Sequence, residues 1–424
     1  MSDKEQLPAG LNSKRPNWSG IGLLLLVNLI ALSFLYSPGT GDVSIWGNWI
    51  REISSYGLIG GYAHSDTDYP PLAFVILAAV SRFAPVFGIT QLLMLKCSLL
   101  LFLFATAACF YWFTRSFVLT AALELALTLN SVGLAYLDIY FAPFLLAGLF
   151  FLQRGNLNLG FVLFVISCFA KWQPLIIAPF VCLYVLGIAS QRAPENHRIK
   201  RQILPFALGA GVVALPLVMI FGWKVFDSLQ RAMTRHAFLS GYALNLGWLQ
   251  TLALHLIQPD KYGALQNGEI GIFLTREPII VWPDKILFYI SYAAILFAFA
   301  RQTKSFERLI VYSMLGYMAY FTFNSGVHEN HLFLICCLAW ILAFIEPEQF
   351  VRSISLTLAA NANLFLFYGV FGDRVQRVVA GFDITILFAV VNICLFLGLL
   401  IHTVKIDGFD LGFVKVQPRP ALPP

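Results

Sequence analysis

Charge is what this sequence has least of. Of its 424 residues only 12% are Asp, Glu, Lys or Arg, while 59% are apolar. Soluble proteins carry about 25% charged and about 45–50% apolar residues. A water-soluble globule is thereby excluded, because too little polar side chain is present to coat one. The same apolar excess excludes disorder. Cysteine is sparse and unpatterned. All seven cysteines (Cys97, Cys109, Cys168, Cys182, Cys336, Cys337 and Cys394) fall inside apolar runs, and none has C-x-x-C spacing. They read as packing residues, not as a disulfide frame or a metal site. The net charge of +6 is small and dispersed among loops. It orients a membrane protein and is no footprint for nucleic acid. No internal repeat is visible.

What is present is a succession of apolar runs from residue 19 to residue 404, with a mean hydropathy of +0.76. Runs of this length are transmembrane helices and not the short alternating strands of a membrane β-barrel. The first run, Gly20 to Tyr36, follows Lys4, Lys14 and Arg15. It is long and no A-x-A site follows, so it is expected to be an uncleaved helix with a cytosolic N-terminus.

Short basic loops fix the remaining topology, since cytosolic loops collect Lys and Arg. The clearest are Gln191 to Gln202 and Arg301 to Arg308, joined by the turns at Thr114-Arg115 and Arg154-Gly155-Asn156 and by the tail with Lys405, Lys415 and Arg419. All of them fall on one side if the stretch Tyr69 to Gly88 does not span. That stretch contains Pro70, Pro71, Arg82 and Pro85, and its clean apolar core is roughly 8–10 residues, short of the ~17 a span needs. It is expected to be a short helix tucked at the outer face. The late turn with Arg374 and Arg377 then lies outside. The fold expected is an all-α polytopic membrane protein of about twelve transmembrane helices, near 19–36, 89–113, 117–136, 139–153, 157–172, 174–189, 203–223, 285–300, 306–324, 331–345, 350–371 and 383–404. Residues 1–18 form a cytosolic tail, 19–223 an N-terminal membrane module with external loop 37–88, 224–284 a long external loop, 285–404 a C-terminal membrane module, and 405–424 a second cytosolic tail.

Ionisable residues at or within a membrane are costly unless solvated or paired, so they point to function. Here they gather on the external face: Asp42, Asp68, Asp138, Lys171 with Gln173, and His328 with Glu329. A transporter places such groups nearer the bilayer midplane. Asp42 opens a stretch in which Trp46, Trp49 and Ile50 or Ile53 recur at helical spacing, an interfacial helix. Asp42 reads either as its N-cap or as a general base, and the two are compatible. Tyr69-Pro70-Pro71-Leu72 is a stiff entry, a helix start or a cleft wall. Lys171 is either a snorkelling lysine or a point charge on a phosphate. Asp138 reads as cap, ion-pair partner or site wall. Glu124 and Lys96, inside helices, are expected to pair. His328-Glu329-Asn330-His331 is not H-E-x-x-H, since Leu332 stands at the second histidine position, so zinc is not expected.

Taken together, these motifs resemble the GT-C superfamily of polyprenyl-phosphate-sugar glycosyltransferases. The acidic residue after the first helix, the aromatic interfacial helix and Asp68-Tyr69-Pro70-Pro71-Leu72 are similar to its opening. Val327-His328-Glu329 resembles its late His-Glu motif, and the combination is nearest in look to the dolichyl-phosphate-glucose glucosyltransferases. Lys171-Trp172-Gln173-Pro174 is similar to a Lys-x-Gln turn of bacterial members, and Leu244-Asn245-Leu246-Gly247-Trp248 to their Asn-x-x-Trp segment. Asp-Val-Ser stands where protein O-mannosyltransferases carry an acidic pair, Asn330-His331 replaces the usual basic residue and Tyr, and the large soluble domain of oligosaccharyltransferases is not expected.

The resemblance implies a GT-C-like bundle and a hexosyltransferase moving mannose or glucose from a polyprenyl-phosphate sugar to a lipid-linked or glycan acceptor, by inverting displacement with neither metal nor cofactor. Asp42 would be the general base, with Asp68 the alternative. Lys171, Gln173, His328, Glu329 and His331 would bind the donor phosphate, and Trp46, Tyr69, Asp138, Asn245 and Trp248 would line the substrate cleft. A divalent ion on Asp42 and Asp138 is a rival arrangement. The partners implied are the lipid donor, the acceptor and membrane lipids, with no nucleic acid. The setting implied is a bacterial inner membrane with the site facing the periplasm. The competing class is a transporter or flippase of lipid-linked sugars.

Overall fold

A computed structural model describes residues 18–192 and 198–407. It is built almost wholly of helices. Seven are long and apolar enough to cross a membrane: Trp18–Tyr36, Gln91–Thr114, Gln173–Gln191, Ile199–Phe221, Pro278–Arg301, Pro347–Tyr368 and Thr385–Ile406. Shorter apolar helices at Phe117–Gly133, Leu137–Gln153, Leu157–Ala170, Leu246–Ile257 and Glu329–Ile345 pack among them. The chain is an all-α, multi-pass membrane protein. The first helix exposes Leu25, Leu26 and Leu29, which calls for lipid around it. At the centre, Phe333 through Ala343 are buried without exception.

Helix ends coincide with the polar turns of the sequence. Thr90, Ser116, Asn156 and Ser305 each accept a backbone N–H two or three residues into the helix that follows. That satisfies donors a helix start leaves unpaired. Arg115 closes Gln91–Thr114 in a left-handed conformation (φ 53°).

Outside the long helices, Asp42–His64 buries Trp46, Trp49, Ile50 and Ile53 on one face, as the spacing predicts, and kinks at Gly57 (φ 73°). Pro71–Val86 starts with proline in its first turn and buries Ala73, Phe74, Leu77, Val80 and Ala84. Its 16 residues reach about 24 Å at 1.5 Å each, less than the ~30 Å of a bilayer core.

Segment 224–284 carries helices of its own, and one expectation is corrected. The segment holds helices Lys224–Thr234, Leu246–Ile257 and Pro259–Tyr262, and the next helix begins at Pro278 rather than 285. Proline is well suited to that first turn. Lys96 and Glu124 do not pair. Lys96 is fully buried and donates to Ser37 Oγ (2.6 Å), Gly133 O (3.0 Å) and Val132 O. Those carbonyls belong to a π-helical turn, Leu129–Gly133, whose wider winding leaves acceptors free for the lysine. Glu124 instead accepts from Asn28 Nδ2 at 3.4 Å.

Candidate functional site

Two short strands set the site. β1 (Ser240–Gly241) pairs in parallel with β2 (Val327–His328). This brings His328 against the segment that carries His236. A Cβ on Gly241 would sit 2.7 Å from the Phe238 ring and 2.9 Å from His328 Nδ1, so the close approach requires glycine there.

His328 Nε2 lies 3.1 Å from His236 Nδ1, and His236 Nε2 lies 3.4 Å from Asp68 Oδ2. With its proton on Nε2, His236 presents that proton to Asp68 and leaves Nδ1 to accept from His328 Nε2–H. On its other side, His328 Nδ1 is 3.8 Å from Glu329 Oε2. Burial works against the imidazolium of His328, but the carboxylates of Glu329, Asp42 and Asp68 outweigh it and raise its pKa above the ordinary value. Burial pulls His236 below the ordinary value, and Asp68 only partly offsets that. The two rings are thus pushed in opposite directions, His328 towards the cationic form and His236 towards the neutral one. Burial also acts to raise Asp68, but the hydrogen bond and charge of His236, with Arg235 nearby, hold the carboxyl below its usual range.

Asp42 is different. Helix Asp42–His64 has Gly41 at its cap position with no side-chain capping bond, and no hydrogen bond to the Asp42 carboxylate occurs among the described residues. The N-cap reading falls. The side chain is half-buried, and burial, reinforced by Glu329, raises its pKa to about 6. His328, Lys171 and Asp68 also act on it electrostatically, so the predicted groups converge on Asp42.

Below these groups lies a buried floor. Lys171 forms an ion pair with Asp138 and donates to Tyr69 OH at 3.0 Å. Asp138 also accepts from Asn130 Nδ2 (3.2 Å) and Asn330 Nδ2 (2.9 Å). Of the three roles open for Asp138, ion-pair partner is the one realised. Both Asp138 oxygens are engaged, Oδ1 by Lys171 and Oδ2 by Asn130 and Asn330. Glu329 accepts from Tyr136 OH and from Tyr368 OH (3.3 Å), and His331 Nδ1 bonds Tyr320 OH at 2.9 Å. Trp46 and Trp49 each meet the Tyr69 ring at 5.2 Å, edge to face, and Trp46 Nε1 donates to Ala135 O. They form an aromatic wall.

Two predicted residues are not brought to this niche by their polar atoms. Asn245 caps helix Leu246–Ile257 through Trp248 N and donates to Phe321 O, while Trp248 Nε1 donates to Thr385. Both side chains are fully buried, so they hold the frame and do not line an open cleft. Gln173 is buried with neither amide atom hydrogen-bonded. The sequence reading missed His236, Tyr136 and Tyr368. His236 carries no motif. Its one signal is an imidazole closing an amphipathic helix just before an apolar run.

Among the described residues, no group of three or more His, Cys, Asp or Glu side chains is placed to hold a metal ion. In comparisons with known proteins, no family model matches the chain and no curated protein matches it.

Proposed function

We propose that this chain is an integral membrane glycosyltransferase of the GT-C type. It moves a hexose, mannose or glucose, from a polyprenyl-phosphate sugar to a lipid-linked or glycan acceptor. The reading includes twelve spans, both ends in the cytosol and the site on the periplasmic side of a bacterial inner membrane. The observation that carries it is the Asp42 carboxylate: unpartnered, half-buried, with a pKa near 6, and facing a His–Glu pair. A base poised close to working pH is the most effective one. Asp68, held ionised by His236, is the weaker base of the two.

In the reaction, Asp42 takes the proton of the acceptor hydroxyl as its oxygen attacks the anomeric carbon. The bond from that carbon to the phosphate oxygen breaks, and the polyprenyl phosphate departs with both electrons. One displacement inverts the anomeric centre. Charge grows on the leaving phosphate, where the His328 imidazolium stabilises it. Asp68 and His236 orient that ring from behind, and Glu329, fixed by Tyr136 and Tyr368, holds it from the other side. Lys171 supports the field from the floor, paired to Asp138.

The test uses purified protein in lipid, with short-chain polyprenyl-phosphate glucose, mannose and arabinose in EDTA, with and without host lipid extract. Release of polyprenyl phosphate from glucose or mannose donor is the expected result. No release from any donor, with or without acceptor lipid or restored magnesium or manganese, overturns the reading, and flux of lipid-linked sugar across liposomes then tests the transport class.

A further inference from the structure

Beside the niche, and sharing His236 with it, a cleft of about 490 Å³ opens between helix Lys224–Thr234 and the start of helix Pro278–Arg301. That volume lies within the ~300–1,000 Å³ of small-molecule sites. Four cations line it: Arg231, Arg235, Arg276 and Lys285. The one carboxylate in the lining, Asp66, is held by the first two, through an Arg231 ion pair and Arg235 Nη2 at 3.4 Å. No acidic partner of Arg276 or Lys285 occurs among the described residues. The lining therefore keeps an excess of three positive charges, and two of its cations have no counter-ion in the protein. Low-dielectric walls focus such a field on an anion.

The rim is apolar. Trp282 belongs to the lining and is 52% exposed, and Ile279, Leu274 and Met233 on the flanking segments are exposed by 69% or more. Large apolar side chains left open around a polar site mark a surface that takes an amphiphile. A soluble anion would gain nothing from them.

We infer that this cleft is a docking site for the phosphate-bearing headgroup of an anionic phospholipid, with the acyl chains lying along the exposed apolar side chains of the segments that line it. Arg276 and Lys285 supply the uncompensated charge. Arg231 and Arg235 supply further donors while tied to Asp66. The inference stands apart from the transferase reading, because it requires binding and not turnover.

The test is native mass spectrometry of the full chain in detergent, titrated with dioleoyl phosphatidic acid, with dioleoyl phosphatidylcholine, or with soluble glycerol phosphate. The variant is Arg276→Ala with Lys285→Ala, which removes no internal ion pair. Phosphatidic acid affinity is expected to fall about thirtyfold in the double variant, the weight of two cations at an anionic lipid. Phosphatidylcholine binding is expected to stay unchanged, and wild-type affinity for the acid is expected to drop as salt is raised. Equal phosphatidic acid affinity in wild type and variant overturns the site. Glycerol phosphate competing at the same concentration as the lipid overturns the lipid assignment. A thermal scan of both proteins separates loss of the site from loss of fold, and Lys285→Gln alone gives an intermediate loss if the site holds.

Discussion

Replacing Asp42 with Asn should remove activity and add stability, a combination that a structural aspartate does not give. The carboxylate gains no hydrogen bond from the fold, and burial with Glu329 lifts its pKa from 3.8 to about 6. A folded-state pKa above the unfolded one means that the native protein resists ionising this group. The penalty is absent below about pH 4, grows between 4 and 6, and is complete above 6. At 1.36 kcal/mol per unit it reaches roughly 3 kcal/mol at most, less whatever solvent screening removes. Asp42→Asn should therefore unfold at a higher temperature than wild type at pH 7.5 in detergent. The gap should narrow as pH is lowered from 6 towards 4. Transfer should fall by about 10²–10⁴-fold in the variant. In wild type it should drop about tenfold per pH unit below 6. Thermal scans across pH 4–8 and donor-release kinetics measure both. Full transfer by Asp42→Asn, or a variant less stable than wild type at pH 7.5, would refute the reasoning.

Three further outcomes are expected. His236→Ala should lower kcat more than it raises KM and move the alkaline limb of the pH profile to lower pH, since His328 loses the acceptor that favours its charge; His236→Gln should recover much of it, and an unmoved pH profile in His236→Ala argues against a positioning role. Lys171→Met should cost about 3–5 kcal/mol by stranding the buried Asp138 carboxylate, while Lys171→Met with Asp138→Asn should cost less than that single change; equal thermal loss in both counts against the pair. Gly372→Ala should lower the unfolding temperature sharply, because Gly372 has φ +91° and an added Cβ would meet Gly39 O at 2.0 Å; a variant with unchanged melting would mean that the two loops are not held together there.

The helices were legible because apolar length and polar turn residues are local properties. Ser116, Asn156 and Ser305 mark helix starts in the sequence and cap them in the fold. Trp46, Trp49, Ile50 and Ile53 could be assigned to one face by spacing alone. The acids and the His–Glu pair were legible as costly groups at apolar boundaries. What was not legible depends on contacts across long sequence separations. Lys171 reads as a free cation until Asp138 is found against it. Lys96 reads as a partner for Glu124 until a π-helical turn presents carbonyls to it instead. Helix Leu246–Ile257 was hidden because twelve residues among Gly, Asn and Pro look like loop. Asn245 and Trp248 stood out as a motif, yet their polar atoms serve a cap and a buried hydrogen bond.

The pairing of β1 with β2 also bears on biogenesis. The acids of the niche leave the ribosome early, on residues 42 and 68, while His328 is made much later and Tyr368 later still. A nascent chain halted between them holds the acids without the His328 that completes the set, and under the proposed function it would not turn over. Completion waits for a two-residue strand to find its partner across two separately inserted helical blocks, a late and slow kind of contact. On the proposed function, two fragments divided in the turn after Arg301 and co-expressed would then be inert apart and gain function only once their helices dock and that strand pair forms.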